Sequence, residues 1–483
     1  MGLILAACNG GDSADDAVDE LVIAIGGDID NFDAHTAQLI IYQYAVKTPV
    51  FNSLVNYDEN LELQPDLAVD WEVNDDATEF RFFLAEDAVF HDGEPVTTQA
   101  VVDNFERLAQ AESVWSPRVE NIADVEIVSD TEMVVTLGRS AANFLDDLTA
   151  VSIIAPSSFD DATNTPVGSG PYRFVEWRAN ERLVLERNED YFGTPPTVQR
   201  LEFRPIPDEQ VAFVNLQAGD VDIIVGVEDT IVQQAEAEGL PVVRPEFSTA
   251  MILAELGGTT GTLDDVRVRR ALAHAIDVNS ILEIMFRGEG EQLAAPMPSG
   301  FWAYAPQDIY EFDLDRAAEL LEEAGAEGLE LQVEVLSGND WADTTARVWQ
   351  ENLAEIGVDM NINVTEISVW LDAYVTRNYD VILNNFPPAE PHVFFNLGLR
   401  PHLDDPDNWY DRPDIVERIN DAIATSDMDE RAEIYAELQA HVMEELPVLP
   451  LFTLQVASVT AEDIEGFKMD PRGWGLFDEV TRG

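Results

Sequence analysis

Cysteine is all but missing. Cys8 is the only one in 483 residues, so no disulfide can form within the chain and packing must supply its stability. Lysine is scarce too. Lys47 and Lys468 are the only two, and the remaining 24 of the 26 basic residues are arginines. No apolar run approaches the ~20 residues that a membrane-spanning helix needs. Several reaction signatures are also missing. There is no Gly-x-Ser-x-Gly elbow, no His-Glu-x-x-His pair and no phosphate-cradling glycine loop with a lysine. These absences argue against the common hydrolase, zinc-protease and nucleotide-binding chemistries.

Acid is what the chain has in excess. It carries 94 Asp and Glu against 26 basic residues, a formal net charge of −68. Such a balance excludes nucleic acid as a partner, because phosphates would be repelled. It does not mean disorder, since 46% of the residues are hydrophobic and 9% aromatic, enough to fill cores. Excess acid with little lysine resembles proteins of salt-loving organisms. Molar salt screens such self-repulsion over about 3 Å. Carboxylate pairs therefore occur by chance throughout and do not by themselves indicate a glycosidase-type site.

Periodicity outlines an α/β chain. Leu21–Ile25 reads as a short strand, and Glu79–Leu84 alternates. Asp92-Gly93 supplies a turn. Thr97 can cap a helix with Val101, Val102, Phe105 and Leu108 on one face. Asp313 can cap a second, through Leu314, Ala317, Leu321 and Ala324, closed by Gly325. Leu329–Val335 and Val358–Val364 alternate, and Tyr379–Leu383 makes a third strand. Helical patterns through Trp341, Val348 and Leu353, then Val369, Leu371 and Val375, separate the three. Strand–helix–strand–helix–strand predicts parallel pairing.

Six stretches, in order, resemble one family. They are Leu63–Leu108, Pro166–Trp177, Arg187–Glu209, Leu216–Ile223, Asp264–Asp277 and Glu444–Phe452. Together they are similar to the family 5 solute-binding proteins of ABC importers, which include dipeptide, oligopeptide and nickel receptors. The resemblance implies an α/β fold of the type II periplasmic-binding-protein class, the cluster C arrangement. In it two hinged lobes enclose the ligand, with a subdomain inserted in the first. The implied division is 20–50, 165–245 and 455–483 for lobe I, 51–164 for its inserted subdomain, and 246–454 for lobe II. Ligands of such folds lie beyond the carboxyl ends of strands. The chain is expected to bind rather than catalyse, to need no cofactor and to be monomeric. A secreted hydrolase remains a remote alternative. Pro65, Trp71, His91, Asp92, Gly93, Gly168, Gly170 and Pro171 are expected to be turn and packing positions.

The segment Tyr379–His402 is expected to line the cleft. It concentrates Asn384, Asn385, Phe386, Glu390, His392, Phe394, Arg400 and His402 after a strand, with Pro387 and Pro388 ending regular structure. In peptide-binding relatives this region resembles Asp-Tyr-Pro-Asp-Pro, whose Asp pairs with the peptide ammonium. Here Asn385 replaces the first Asp and Glu390-Pro391 stands for the second Asp-Pro. The nickel branch is the rival. Glu390-Pro391-His392 with Phe394, Arg400 and His402 resembles its loop, and Trp115 resembles its cleft tryptophan. On that reading His402 is the candidate metal contact, with a chelator supplying the other donors. Glu112 and Ser152 stand where that branch carries chelator-gripping arginines. Asn31 and Phe32 follow the first strand, Phe247 and Met251 lie near the expected crossover, and Arg118 could hold a ligand carboxylate.

Leu5-Ala6-Ala7-Cys8 matches a lipobox. Residues 1–19 are read as a truncated signal with that box, followed by an acidic tether. Cys8 is the expected lipidation site, anchoring the protein outside the cytoplasm beside its permease.

Overall fold

The computed structural model describes residues 20–483 apart from 38, 112, 114, 258–260, 289, 400–409 and 455. Cys8, the tether, Arg400 and His402 lie outside the described residues.

Three large sheets organise the chain. The first has seven strands, in the order Val242–Val243, Ala457–Thr460, Ile223–Val227, Leu21–Ile25, Arg200–Pro205, Arg182–Arg187 and Tyr172–Arg178. Leu21–Ile25 is its centre and runs parallel to both neighbours. Its LVIAI sequence has no outward polar position, as a strand covered on both faces requires. Leu21 and Ile23 are fully buried on one side, and Ala24 joins a separate cluster with Phe213 and Ile231 on the other.

The second sheet is antiparallel, with Ala68–Val73, Glu79–Leu84, Glu132–Leu137 and Ile122–Ser129 in that order. Its alternation is one-sided, as expected where one face meets water. Phe80 and Phe82 are buried, while Glu79 is exposed. The helix Thr98–Gln110 covers this sheet's core with Val101, Phe105 and Leu108.

The third sheet has five strands, ordered Asp359–Thr365, Glu330–Leu336, Val381–Phe386, Met251–Leu256 and Val448–Thr453. The three strands expected to be parallel are so. Met251–Leu256 then pairs antiparallel on both sides, which makes the sheet mixed. The third expected strand begins two residues late, at Val381, because the Asp380 carbonyl accepts the Gly257 N–H and the ladder starts only at Val381 opposite Leu256. A cluster around fully buried Trp349 fills one face.

Acid is used locally as helix caps. Asp208, Asp265, Asp277, Asp313 and Asp427 each accept a backbone N–H in the first turn of a helix, and Thr97 does the same for Thr98–Gln110. An N-terminal carboxylate also meets the positive end of the helix dipole.

Two signature stretches dock on each other. The His91 N–H donates to Gly168 O at 2.8 Å, and His91 Nε2 lies 3.0 Å from Gly170 O. Gly93 turns the chain at φ 89°, and Gly170 N–H donates to Val50 O. A Cβ on Gly168 would stand 2.0 Å from Val50 O, so only glycine passes there. Burial pulls the His91 pKa down to about 4, leaving a neutral ring that staples two turns.

One apolar cluster runs from the four-stranded unit (Phe80, Phe144) into the helices below the five-stranded one (Phe395, Ile423, Tyr435). Ala142 N–H donates to Ile423 O at 2.7 Å across the same boundary. No helix among the described residues is long and apolar enough to cross a membrane.

Candidate functional site

The third sheet delivers the site's central loop. After Val381–Phe386 two prolines remove ladder donors, and Glu390-Pro391-His392 leads into the π-helical turn Val393–Leu399. Glu390 and His392 are both buried. The His392 N–H donates to Glu390 Oε2 at 2.7 Å, and its Nδ1 faces the same oxygen. Its Nε2 lies 3.3 Å from Asp147 Oδ1, on the short helix Phe144–Thr149 of the four-stranded unit. Asp147 also takes a hydrogen bond from Arg118 Nη1. Next to it, Asp146 Oδ1 accepts from Tyr57 OH at 2.8 Å.

Burial opposes charge in this cluster, and the neighbours decide. Burial would lower the His392 pKa, but Glu390 and Asp147 outweigh it and lift it to about 10. Glu390 is held below the usual carboxylate range despite its burial, by His392 and Arg431. Asp147 is likewise held down by Arg118 and His392. Asp146 goes the other way. Burial and the nearby Glu390 push it up to about 7. The loop imidazole is therefore an imidazolium whose two N–H groups point at carboxylates from two different units.

Beside this cluster is a cavity of about 600 Å³ between the four-stranded and five-stranded units, inside the range of small-ligand sites. Its walls are largely apolar, with Leu63, Phe80, Leu145, Phe247, Phe301 and Trp302. Asp146, Glu390 and Arg431 supply charge. The Arg431 guanidinium stacks 4.9 Å from the Trp302 ring centroid. Three buried polar atoms here have no hydrogen-bond partner among the described residues: Glu390 Oε1, Arg431 Nε and Tyr435 OH. Each is free to accept or donate to water or a solute entering the cavity.

Asp146, Glu390 and His392 also have the composition of a cation site, with one ligand atom of each within 4.8 Å of the others. The imidazole disfavours that use. A metal needs a ring nitrogen's lone pair, and both nitrogens here face carboxylates as donors.

Of the sequence candidates, Phe247 and Glu390 line the cavity. His392 and Arg118 do not line it; both bond Asp147, the neighbour of the lining Asp146. Phe386, Phe394 and Met251 pack in the adjoining core, with Phe386 edge-on to Phe394 at 5.9 Å and opposite Met251 in register. Trp115 packs on that core and donates Nε1–H to Ala37 O at 2.9 Å. Asn384 Nδ2 donates to Glu255 Oε1 within the sheet, and Asn385 Oδ1 is buried without a partner among the described residues. Asn31 and Phe32 lie elsewhere. Phe32 is 1% exposed in the seven-stranded core, edge-on to Phe174 and Trp177, and Asn31 ties a local turn to Thr36 and Asp33. That turn docks the four-stranded unit, through Asp33 on Arg107 and His35 on Ser152 O.

Sequence reading missed Asp146, Asp147, Arg431, Trp302 and Tyr57. The adjacent Asp146-Asp147 pair on an otherwise apolar helix is a signal in principle. Among 94 acids it is not distinctive.

Two α/β layers and an inserted antiparallel unit around an open cavity define a solute-binding protein of the two-lobed kind. Residues 62–400 match the model of the bacterial extracellular solute-binding proteins, family 5 Middle, and the chain belongs to that family. Two curated relatives come from Escherichia coli K12. A probable D,D-dipeptide-binding periplasmic protein is 26% identical, over 89% of this chain and 87% of the relative. The nickel-binding periplasmic protein is 24% identical, over 89% and 88%. Among solved structures, NikA from Brucella suis in complex with Fe(III)-EDTA superposes with a TM-score of 0.85 at 22% identity, covering 96% of this chain and all of that one. It supports the fold alone.

Proposed function

We propose that this protein is the solute receptor of an ABC importer, and that its ligand is a small peptide held between two closing lobes. Lobe I comprises the seven-stranded unit with the four-stranded unit inserted (20–50, 165–245 and 455–483, with 51–164), and lobe II is 246–454. The observation that carries the ligand class is Glu390. Its Oε1, the carboxylate oxygen turned from His392, has no partner among the described residues and lies beside a largely apolar cavity, which suits it to accept from the ammonium of a peptide. Arg431 on the same wall offers a donor to a carboxylate or carbonyl, so both ends of a zwitterion meet complementary charge. Apolar walls accept side chains without selecting one.

The family assignment supports binding without catalysis, delivery to membrane permease subunits, and a place outside the cytoplasm. Lipid attachment at Cys8 would hold the receptor there, with residues 9–19 as its leash. A monomer suffices for this role.

A metal chelate is the second reading, favoured by the nickel-binding relative and by the Asp146–Glu390–His392 grouping. Mass spectrometry of ligand released from protein purified natively in molar salt separates the two. A set of short peptides supports the first reading, and a metal with a small organic chelator supports the second. Glu390→Gln should weaken peptide binding more than tenfold, or about 1.4 kcal/mol, in a calorimetric titration. Unchanged affinity would remove Glu390 from the site.

A further inference from the structure

One short segment of the four-stranded unit, Ser140–Asp147, makes polar contacts across to lobe II. The Ala142 N–H donates to Ile423 O at 2.7 Å. Ser140 Oγ lies 3.0 Å from Ala424 O and 2.6 Å from Asp76 O, so its single proton can serve either. At the far end of the segment Asp147 Oδ1 faces His392 Nε2 at 3.3 Å. Ile423 and Ala424 end the helix Pro413–Ala424. The last four carbonyls of a helix have no partner inside it, and here Ile423 O and Ala424 O meet donors that belong to the other unit.

These donors are fixed by their own unit before they reach across. Gly138 N–H donates to Asn121 O at 2.8 Å, Arg139 N–H to Asn121 Oδ1 at 3.1 Å and Ala141 N–H to Ala77 O at 3.0 Å. Phe144 N–H closes a turn on Ala141 O at 3.1 Å. Apolar contact crosses the same boundary, since Phe80 and Phe144 share one buried cluster with Ile419, Ile423 and Tyr435. All of this joins protein to protein directly and needs no solute between the units. It also borders the solute cavity, which Ala77, Ala142 and Leu145 line from one unit and Ser426 and Met428 from the other.

We propose that Ser140–Asp147 is a latch on the solute cavity. It holds the four-stranded unit against lobe II before solute arrives, so the empty receptor rests shut and solute enters through brief openings. The latch rests on the receptor and the lobes proposed above. It favours the shut state because parting the units leaves the two helix-end carbonyls to water and exposes the shared apolar cluster.

Distances measured on the full chain test it. Spin labels go on Glu126→Cys in the strand Ile122–Ser129 and Glu433→Cys in the helix Met428–Glu445, both exposed, in a Cys8→Ser background. The protein is stripped of co-purified solute by dialysis against urea and returned to molar salt. Double electron–electron resonance should then show one narrow population of short distances. Ser140→Ala with Ala142→Pro removes both donors. Ala142 is the second residue of the turn closed by Phe144, a position that favours proline, so the turn survives. This variant should add a second, longer population. Mainly long distances in the empty wild type overturn the proposal, and so does an unchanged distribution in the folded double variant. If that variant does not fold, Ser140→Asp sets a carboxylate against the negative end of the helix and should open the same long population. Its absence there overturns the latch. No solute takes part in these measurements, so a failed peptide assignment, seen by mass spectrometry, is distinct from a failed latch.

Discussion

His392 shows what a single side chain can do at a boundary. Its two ring nitrogens face Glu390 on its own loop and Asp147 on the four-stranded unit. The folded pKa of about 10 lies above the ordinary 6.5. Its stabilising contribution is therefore complete below pH 6.5 and disappears as pH rises through 10. His392→Gln should cost about 3 kcal/mol near pH 6, the range for removing one partner of a buried ion pair. The difference from wild type should shrink towards pH 10, in urea unfolding measured at pH 6, 8 and 10. Removing the ring also lifts Asp146, Asp147 and Glu390, whose carboxyls His392 helps to hold down, so the difference reads the whole cluster. A difference that does not change with pH would mean that the ring is not an imidazolium.

Residues were the hardest scale to read in the sequence. Glu390 and His392 stood out because prolines and aromatics marked their loop. Asp147, Arg118 and Arg431 reach the same cluster from distant segments, 245, 274 and 39 positions from His392. No local pattern connects residues that meet only in space. The staple of His91 on Gly168 and Gly170 is similar. Both stretches were recognisable as turns, but not as each other's partners.

Elements were read more fully, because periodicity is a property of neighbours. The helix Leu314–Ala324 has the cap and the stop its sequence implied. Asp313 accepts the Arg316 N–H at 2.9 Å, and Gly325 ends the helix at φ 67°. Asp313→Ala should lower stability by about 1 kcal/mol, read as a shift in denaturant midpoint. Asp313→Asn should recover most of it, since an amide oxygen accepts the same bond. No change with Ala would mean that the cap is redundant. Strand edges were less legible. The ladder of Val381–Phe386 starts where Leu256 begins to oppose it, and the position of Leu256 is set more than a hundred residues away.

The whole molecule carries most of its acid on the outside, with Asp33, Asp146, Glu202 and Glu390 among the buried exceptions. A formal charge of −68 on 483 residues repels itself over every distance that salt does not screen. Raising potassium chloride from about 0.1 M to 2 M, where the Debye length falls from ~10 Å to a few ångströms, should raise the melting temperature by several degrees or more. A flat or falling melting curve would assign the acid to another purpose. Fold class was legible at this scale through the ordered family stretches. The mixed third sheet was not, since antiparallel pairing of Met251–Leu256 joins strands far apart in sequence.

The main chain passes between the seven-stranded and five-stranded units near Val243–Met251 and again near Thr453–Ala457. The two passages touch, with Leu454 N–H donating to Ala250 O at 2.8 Å, and Thr249 N–H tied to Pro471 O beside them. Under the lobe closure proposed here, two ribbons tied in this way would act as a strap hinge, flexing about one axis and resisting the torsion that would break the tie. In the receptor proposed here, capture is then close to a one-dimensional motion, and a solute's grip on either jaw is felt along a single coordinate.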